Sequence, residues 1–239
     1  MLIRYCALIA MLALPMTVLT AQDATKSAPG AYRTQFENPF VHLTRVHYGP
    51  NERLAVHEHP LVVTVYVYLN ASGPVEFRHT GDGRVATRQP TTAGSFRVSR
   101  GGDEKHAVVN TTAAPSDFLR VEFKTGPGRN PSPFFRESTK TYPATENTTD
   151  VKFTNDQMRI TRLIVAAGKV LEPAITTREP ALIVALNDGM LSGLRPGDAA
   201  TIAAGQERWL DAGQSLRLAN TGAAPVELLR IDFLTAPRK

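Results

Sequence analysis

The stretch Asn110-Thr-Thr-Ala-Ala-Pro-Ser-Asp-Phe-Leu-Arg-Val-Glu-Phe123 returns, 110 residues further on, as Asn220-Thr-Gly-Ala-Ala-Pro-Val-Glu-Leu-Leu-Arg-Ile-Asp-Phe233. Each copy joins a turn of small residues and proline to a run in which apolar and charged residues alternate. A period of two is that of a β-strand with one buried face. Leu119, Val121 and Phe123 are therefore expected to face a core, and Arg120 and Glu122 to form a charged outer face. Leu229, Ile231 and Phe233 stand to Arg230 and Asp232 in the same way. Upstream, Leu43-Thr-Arg-Val46 returns as Ile160-Thr-Arg-Leu163 at an offset of 117. The repeat spans most of each half of the 239-residue chain, which marks a duplicated domain.

The remaining signals are also for strands. Residues 62–69 are β-branched and aromatic with no breaker. Turn-forming groups separate the runs: Gly49-Pro-Asn51, Asn70-Ala-Ser-Gly73, Gly81-Asp-Gly83, Gly101-Gly102, Asn187-Asp-Gly189 and Pro196-Gly-Asp198. No long stretch carries a helical period, so the fold class is all-β and each copy reads as a small barrel or sandwich closed against free edges. Residues 126–150 contain Pro127, Pro131, Pro133 and Pro143, a density that blocks helix interiors and central strands. They read as a linker docked through Phe134 and Phe135. The division is a leader at 1–21, a first domain at 30–125, the linker at 126–150 and a second domain at 151–239. The two domains are expected to pack closely, with the Arg120/Glu122 and Arg230/Asp232 pairs where they meet.

Arg4, the apolar residues 5–14, Pro15 and the small residues up to Ala21 have the pattern of a cleaved secretory signal, too short for a membrane span. The pattern predicts an exported protein, periplasmic or secreted, that begins near Gln22 with a polar, exposed tail. Cys6 is the single cysteine and lies inside the leader, so the mature chain has no disulfide and no thiolate. Any metal must then sit on imidazole and oxygen. At 42% hydrophobic and 21% charged residues the chain is globular. The net charge is +5, but basic residues are scattered among acidic ones with no basic run and no aromatic interleaving, which argues against a nucleic-acid surface. After the leader no segment is apolar enough for a membrane.

All six histidines precede residue 107. In extended chain, residues two apart share a face, so His57 and His59 of His57-Glu58-His59 can point inward together. His106 follows a glycine turn and opens His106-Ala-Val-Val-Asn110. His42, His47 and His79 read as surface or strand-facing residues without a metal role, Tyr66 and Tyr68 as barrel residues, and Glu104 has no assigned role. Asn110-Thr-Thr and Asn147-Thr-Thr fit glycosylation acceptors.

These residues resemble the two motifs of the cupin family. The first motif has Gly, five residues, His-x-His, then Glu; Asn51 stands at its Gly, His57 and His59 at its histidines, and Val63 or Thr64 where Glu is expected. The second has Gly, five residues, Pro-x-Gly, two residues, His, three residues, Asn; Gly94, Gly102, His106 and Asn110 match it, with Arg100 for Pro and one extra residue before His106. In the second copy Gly168 is followed by Ala174-Ile-Thr176, and Gly205, Asp211, Gly213, Leu216 and Asn220 keep the second spacing with Leu216 in place of His. The resemblance implies two tandem cupin-type (jelly-roll) barrels, the second degenerate and without a metal.

It further implies that His57, His59 and His106 converge as ligands of one divalent transition metal, which imidazole alone does not narrow beyond Fe, Zn, Ni or Cu. The function implied is that of an exported protein handling a small-molecule ligand or substrate, as a metal-dependent enzyme such as a dioxygenase. The alternative is a non-catalytic binding or structural protein with a relic site, and a homo-oligomer is compatible with either. Metal binding is expected to weaken below about pH 6, where free imidazole takes up a proton.

Overall fold

The turn residues cut the chain into short strands, and the alternation along each strand decides which two surfaces it serves. The computed structural model describes residues 22–102, 104–128, 134–137, 141–172, 175–194 and 201–238. The leader, Ala174 and the turn at 196–198 lie outside the described residues. Among the described residues the fold is all-β apart from one helical turn, Ala24–Ser27. Among the described residues no helix is long and apolar enough to cross a membrane.

In the first half a six-stranded sheet runs in the order Phe135–Arg136, Phe96–Ser99, Thr64–Tyr68, Ser116–Phe123, Val41–Tyr48, Tyr32–Glu37. A five-stranded sheet runs Gln22–Asp23, Arg53–Glu58, Lys105–Asn110, Val75–His79, Val85–Arg88. Side chains from both sheets, among them Tyr32, Val46, Tyr48, Tyr66, Val75, Val108 and Phe118, pack together. The second half has a five-stranded sheet, Thr148–Thr154, Met158–Val165, Val226–Phe233, Ala181–Ala185, Glu207–Leu210, with two small sheets beside it and an apolar core of its own.

The alternation in the repeated stretch is inverted relative to the expectation. Leu119, Val121 and Phe123 turn away from the interior of their own half and join Ile160, Leu182, Val184, Leu229, Ile231 and Phe233 in one core shared by the two halves. Arg120 and Glu122 turn inward and are 4% and 3% exposed. Both faces of this strand are covered, so the alternation separates a polar interior from an apolar interface, not a core from solvent. The second copy behaves alike, with Asp232 fully buried and bonded to Arg230 at 2.7 Å. The halves do pack closely, but through two sheets face to face. Burying each such apolar side chain contributes about 1.5–3 kcal/mol, against about 1 kcal/mol at most for an exposed ion pair.

Polar groups fix the register of that contact. Arg45 Nη1 donates to the Ala204 carbonyl at 3.2 Å and Arg162 Nη2 to the Gly94 carbonyl at 2.7 Å. Gly205 adopts φ +85°, and a Cβ there would lie 2.6 Å from the Arg45 guanidinium, so glycine is required where the halves touch. Of the two linker aromatics only Phe135 docks, its ring 5.6 Å from Phe96 and 5.1 Å from Phe153; Phe134 is exposed.

Two further readings are settled locally. Asn51 has φ +54°, the only non-glycine with positive φ among the described residues, as its place at a motif glycine predicts. The expected polar tail is not free: Gln22–Asp23 pairs in parallel with His57 and Glu58, and Ala24 is buried. Asp23 caps the short helical turn, which returns the chain to the sheet. A polar stretch can dock in this way because backbone pairing does not depend on side-chain polarity.

Candidate metal site and cavity

His57, next to last in the strand Arg53–Glu58, pairs in register with His106 on Lys105–Asn110, while the His59 amide continues the ladder by donating to the Glu104 carbonyl at 3.2 Å. This pairing brings the three imidazoles to one place. A ring nitrogen from each of His57, His59 and His106 lies within 4.8 Å of the others. Ring centroids are 5.1 Å apart for His57 with His59 and with His106, and 5.6 Å for His59 with His106. His79 pairs across the sheet with His106, its ring 5.5 Å away, so it is strand-facing and half-buried, and it stands outside the three-histidine group. His42 bonds to Glu122 and His47 to Asp117.

The protonation of His57 follows from its partners. Its Nδ1 is 2.8 Å from the Ala55 carbonyl, which can only accept, so Nδ1 carries the proton and Nε2 offers a lone pair. The Tyr32 hydroxyl donates to that lone pair at 2.9 Å, and with its own proton committed it accepts from the Tyr48 hydroxyl at 2.7 Å. Burial pushes the pKa of Tyr32 up and that of Tyr48 to about 12, so both stay phenols. Burial lowers the pKa of all three histidines, that of His106 to about 3. Nearby Arg120 acts in the same direction, so the cluster is neutral at pH 7.

Three neutral imidazoles are a donor set for a first-row metal. His59 Nε2 and both ring nitrogens of His106 are buried and make no hydrogen bond within the protein. Orphaned buried nitrogens are unfavourable unless something outside the chain engages them, and the residues fit a transition metal on that ground. No carboxylate completes the set from the expected motif position: the Thr64 hydroxyl donates to the Val62 carbonyl, and Val63 packs on the core between the halves.

Beside the cluster lies a cavity of about 150 Å³ lined by His106, His79, Tyr48, Tyr66, Phe77, Phe118, Glu104 and three arginines, Arg88, Arg97 and Arg120. Arg120 donates to the Tyr66 hydroxyl at 3.0 Å, lies 3.4 Å from Glu104, and pairs with Glu122 at 3.0 Å. Burial pulls its pKa down, but Tyr66, Glu104 and Glu122 outweigh that and hold it above its ordinary value. Arg97 stacks 3.8 Å from the Tyr66 ring centre.

Solved structures of similar fold were found by comparison. AerE from Microcystis aeruginosa is 16% identical, with a TM-score of 0.57 over 85% of this chain and 97% of that one. A cupin 2 conserved barrel domain protein from Leptotrichia buccalis is 12% identical, with a TM-score of 0.53 over 85% and 88%. The fold is that of the cupins. A variant of salicylate 1,2-dioxygenase from Pseudoaminobacter salicylatoxidans, 13% identical, aligns over 81% of this chain and 70% of its own with a TM-score of 0.50. No family model and no curated protein matches the sequence.

Within the cupin fold the two halves differ at one set of places. The strand pairing that joins His57 to His106 joins Ile175 to Leu216 in the second half, and the Thr177 amide bonds to the Gln214 carbonyl as His59 does to Glu104. The counterparts of His57 and His59 are therefore Ile175 and Thr177, one residue beyond the Ala174 and Thr176 that motif spacing suggests; one more residue separates the repeats than the spacing allows. By register, Tyr48, Tyr66 and Tyr68 correspond to Val165, Ile183 and Ala185. Where the first half has a polar cavity, the second has a packed apolar core.

Sequence reasoning missed Tyr32, Arg88, Arg97, Glu104 and the inward turn of Arg120. The signal for the aromatic part was the exchange of tyrosine for small or aliphatic residues between the copies. The arginines carry no such signal. Asn110, read as a glycosylation acceptor, is buried: its side-chain amide donates to the Gly49 and Ala114 carbonyls, each at 2.8 Å.

Proposed function

We propose that this chain is an exported two-barrel protein of the cupin fold whose first barrel holds one divalent transition metal on His57, His59 and His106 and acts on a small molecule in the adjoining cavity. The observation that carries the reading is the convergence of three neutral imidazoles, those of His57 and His106 buried and that of His59 half-buried, within 4.8 Å of one another. A metal bound there would supply a Lewis acid for an oxygen-bearing substrate, and as iron would permit dioxygenase chemistry of the kind named for the salicylate enzyme. The chain's own part is to keep the imidazoles neutral, to orient His57 through the Ala55 carbonyl, and to give the cavity apolar walls with Phe77 and Phe118. The lack of a carboxylate at Val63 or Thr64 favours a second reading, a binding protein that uses the same site without turnover.

The test is elemental analysis of protein purified without added metal and after loading with Fe, Ni, Cu or Zn. About one ion per chain is expected, with His57→Ala losing most of it and His79→Ala keeping it. A wild-type protein that neither carries nor takes up any of the four would overturn the metal reading. Amino-terminal sequencing of exported material should begin near Gln22; a sequence starting at Met1 would remove the export proposal.

A further inference from the structure

We propose that the first-barrel cavity binds a small carboxylate with a planar, apolar body, anchored by Arg88 and extending toward the histidine cluster. This deepens the reading of the site above and rests on it for what happens at the far end of the ligand. Arg88 is 8% exposed and ends the strand Val85–Arg88, where the pleat turns it to the same side as Ala86, into the cavity. Its Nη2 donates to Ser72 Oγ at 3.0 Å and Ser116 Oγ at 2.8 Å. Its Nε and Nη1 are buried and make no hydrogen bond in the protein, the guanidinium meeting there only the rings of Tyr68 and Phe118, whose centres lie 5.3 and 5.5 Å away.

The contrast with the other buried arginines is the argument. Arg120 has Glu104 and Glu122, and Arg162 has Glu137 and Glu227. Arg88 has no carboxylate within ion-pair distance among the described residues. A buried guanidinium without an anion is strongly unfavourable, and its planar fork suits a carboxylate. Burial pulls the Arg88 pKa down, as an uncompensated positive charge requires, yet the group stays charged at any ordinary pH. The cavity as a whole is positive: three guanidiniums face it against the single carboxylate of Glu104, with Glu122 committed to Arg120. Phe77, Phe118 and Tyr66 form flat apolar walls. A water needs about 10–15 Å³ of such space, so 150 Å³ accommodates a small organic acid. Arg88 and His106 line the same cavity, so a ligand held at one end by Arg88 presents its other end to the histidines.

The experiment is isothermal titration of the chelator-treated protein with benzoate, and with its neutral isostere benzamide. Benzoate should bind about 10- to 100-fold more tightly than benzamide, and R88M should abolish the preference while R88K keeps part of it. Equal binding of the two probes, no benzoate binding, or an R88M protein that still prefers benzoate overturns the proposal. Should R88M fail to fold for want of its bonds to Ser72 and Ser116, the wild-type comparison of the two probes decides alone. Because the titration is done without metal, a protein that takes up no ion can still pass it. A protein that loads metal but does not distinguish the probes fails only this proposal.

Discussion

Phe123 and Phe233, the last residues of the repeated stretch in its two copies, lie with ring centroids 4.7 Å apart. The repeat thus closes on itself: the same position in each half supplies one side of the contact between them. Trp209 packs on Phe233 at 5.3 Å and Phe40 at 6.1 Å, so the pair sits within an aromatic cluster. Phe233→Ala should lower the unfolding free energy by about 3–5 kcal/mol. Urea unfolding should show one cooperative transition in the wild type; two independent transitions, with the first half untouched by the substitution, would contradict a shared core.

Strands, the duplication, the turn at Asn51 and the histidine trio were all legible, because each depends on local chemistry: a period of two, a left-handed turn, two residues on one face. What the sequence could not reveal was which of two covered faces is which. Arg120 and Glu122 alternate with leucine, valine and phenylalanine as an exposed edge would, and only the second sheet behind Leu119 and Val121 reverses the meaning of the pattern. The one-residue slip that puts Ile175, not Ala174, opposite Leu216 has the same origin, since loop spacing does not fix pairing register. Tyr32 and Arg88 enter the site from strands that belong to neither motif.

The inward position of Glu122 has a direct test. On an outer face Glu122→Ala would change stability by no more than about 0.5 kcal/mol. Buried against Arg120 and bonded to His42, it should cost about 3–5 kcal/mol, because one acidic partner of Arg120 is lost without exposure to water. Chemical denaturation of the variant distinguishes the two.

Tyr32→Phe should act differently on the metal-free and metal-loaded protein. Without metal, the substitution leaves the His57 Nε2 lone pair buried and without its donor, a loss of about 1–3 kcal/mol. A metal that takes up the same lone pair removes that penalty. The rise in Tm on adding metal should therefore be larger in the variant than in the wild type. Equal rises in both would mean that Tyr32 and the ion do not share His57.

The pH dependence departs from the behaviour of free imidazole. Burial first, then the charges of His57 and Arg120, holds the His106 pKa at about 3 in the folded chain, while the unfolded chain titrates near 6.5. Between those values the unfolded state binds a proton that the folded state does not, so stability rises with pH through this window. The contribution is complete above pH 6.5 and is lost as the pH falls toward 3. For the same reason the folded site stays deprotonated, and able to hold a metal, below the pH 6 expected from free imidazole; metal release on acidification should follow unfolding, not precede it. Urea midpoints measured with chelator from pH 7 to pH 5 should fall steadily. His106→Leu, which installs the residue found at Leu216 in the other half, should flatten that slope. A slope unchanged by the substitution would show that His106 is not the group held neutral by burial.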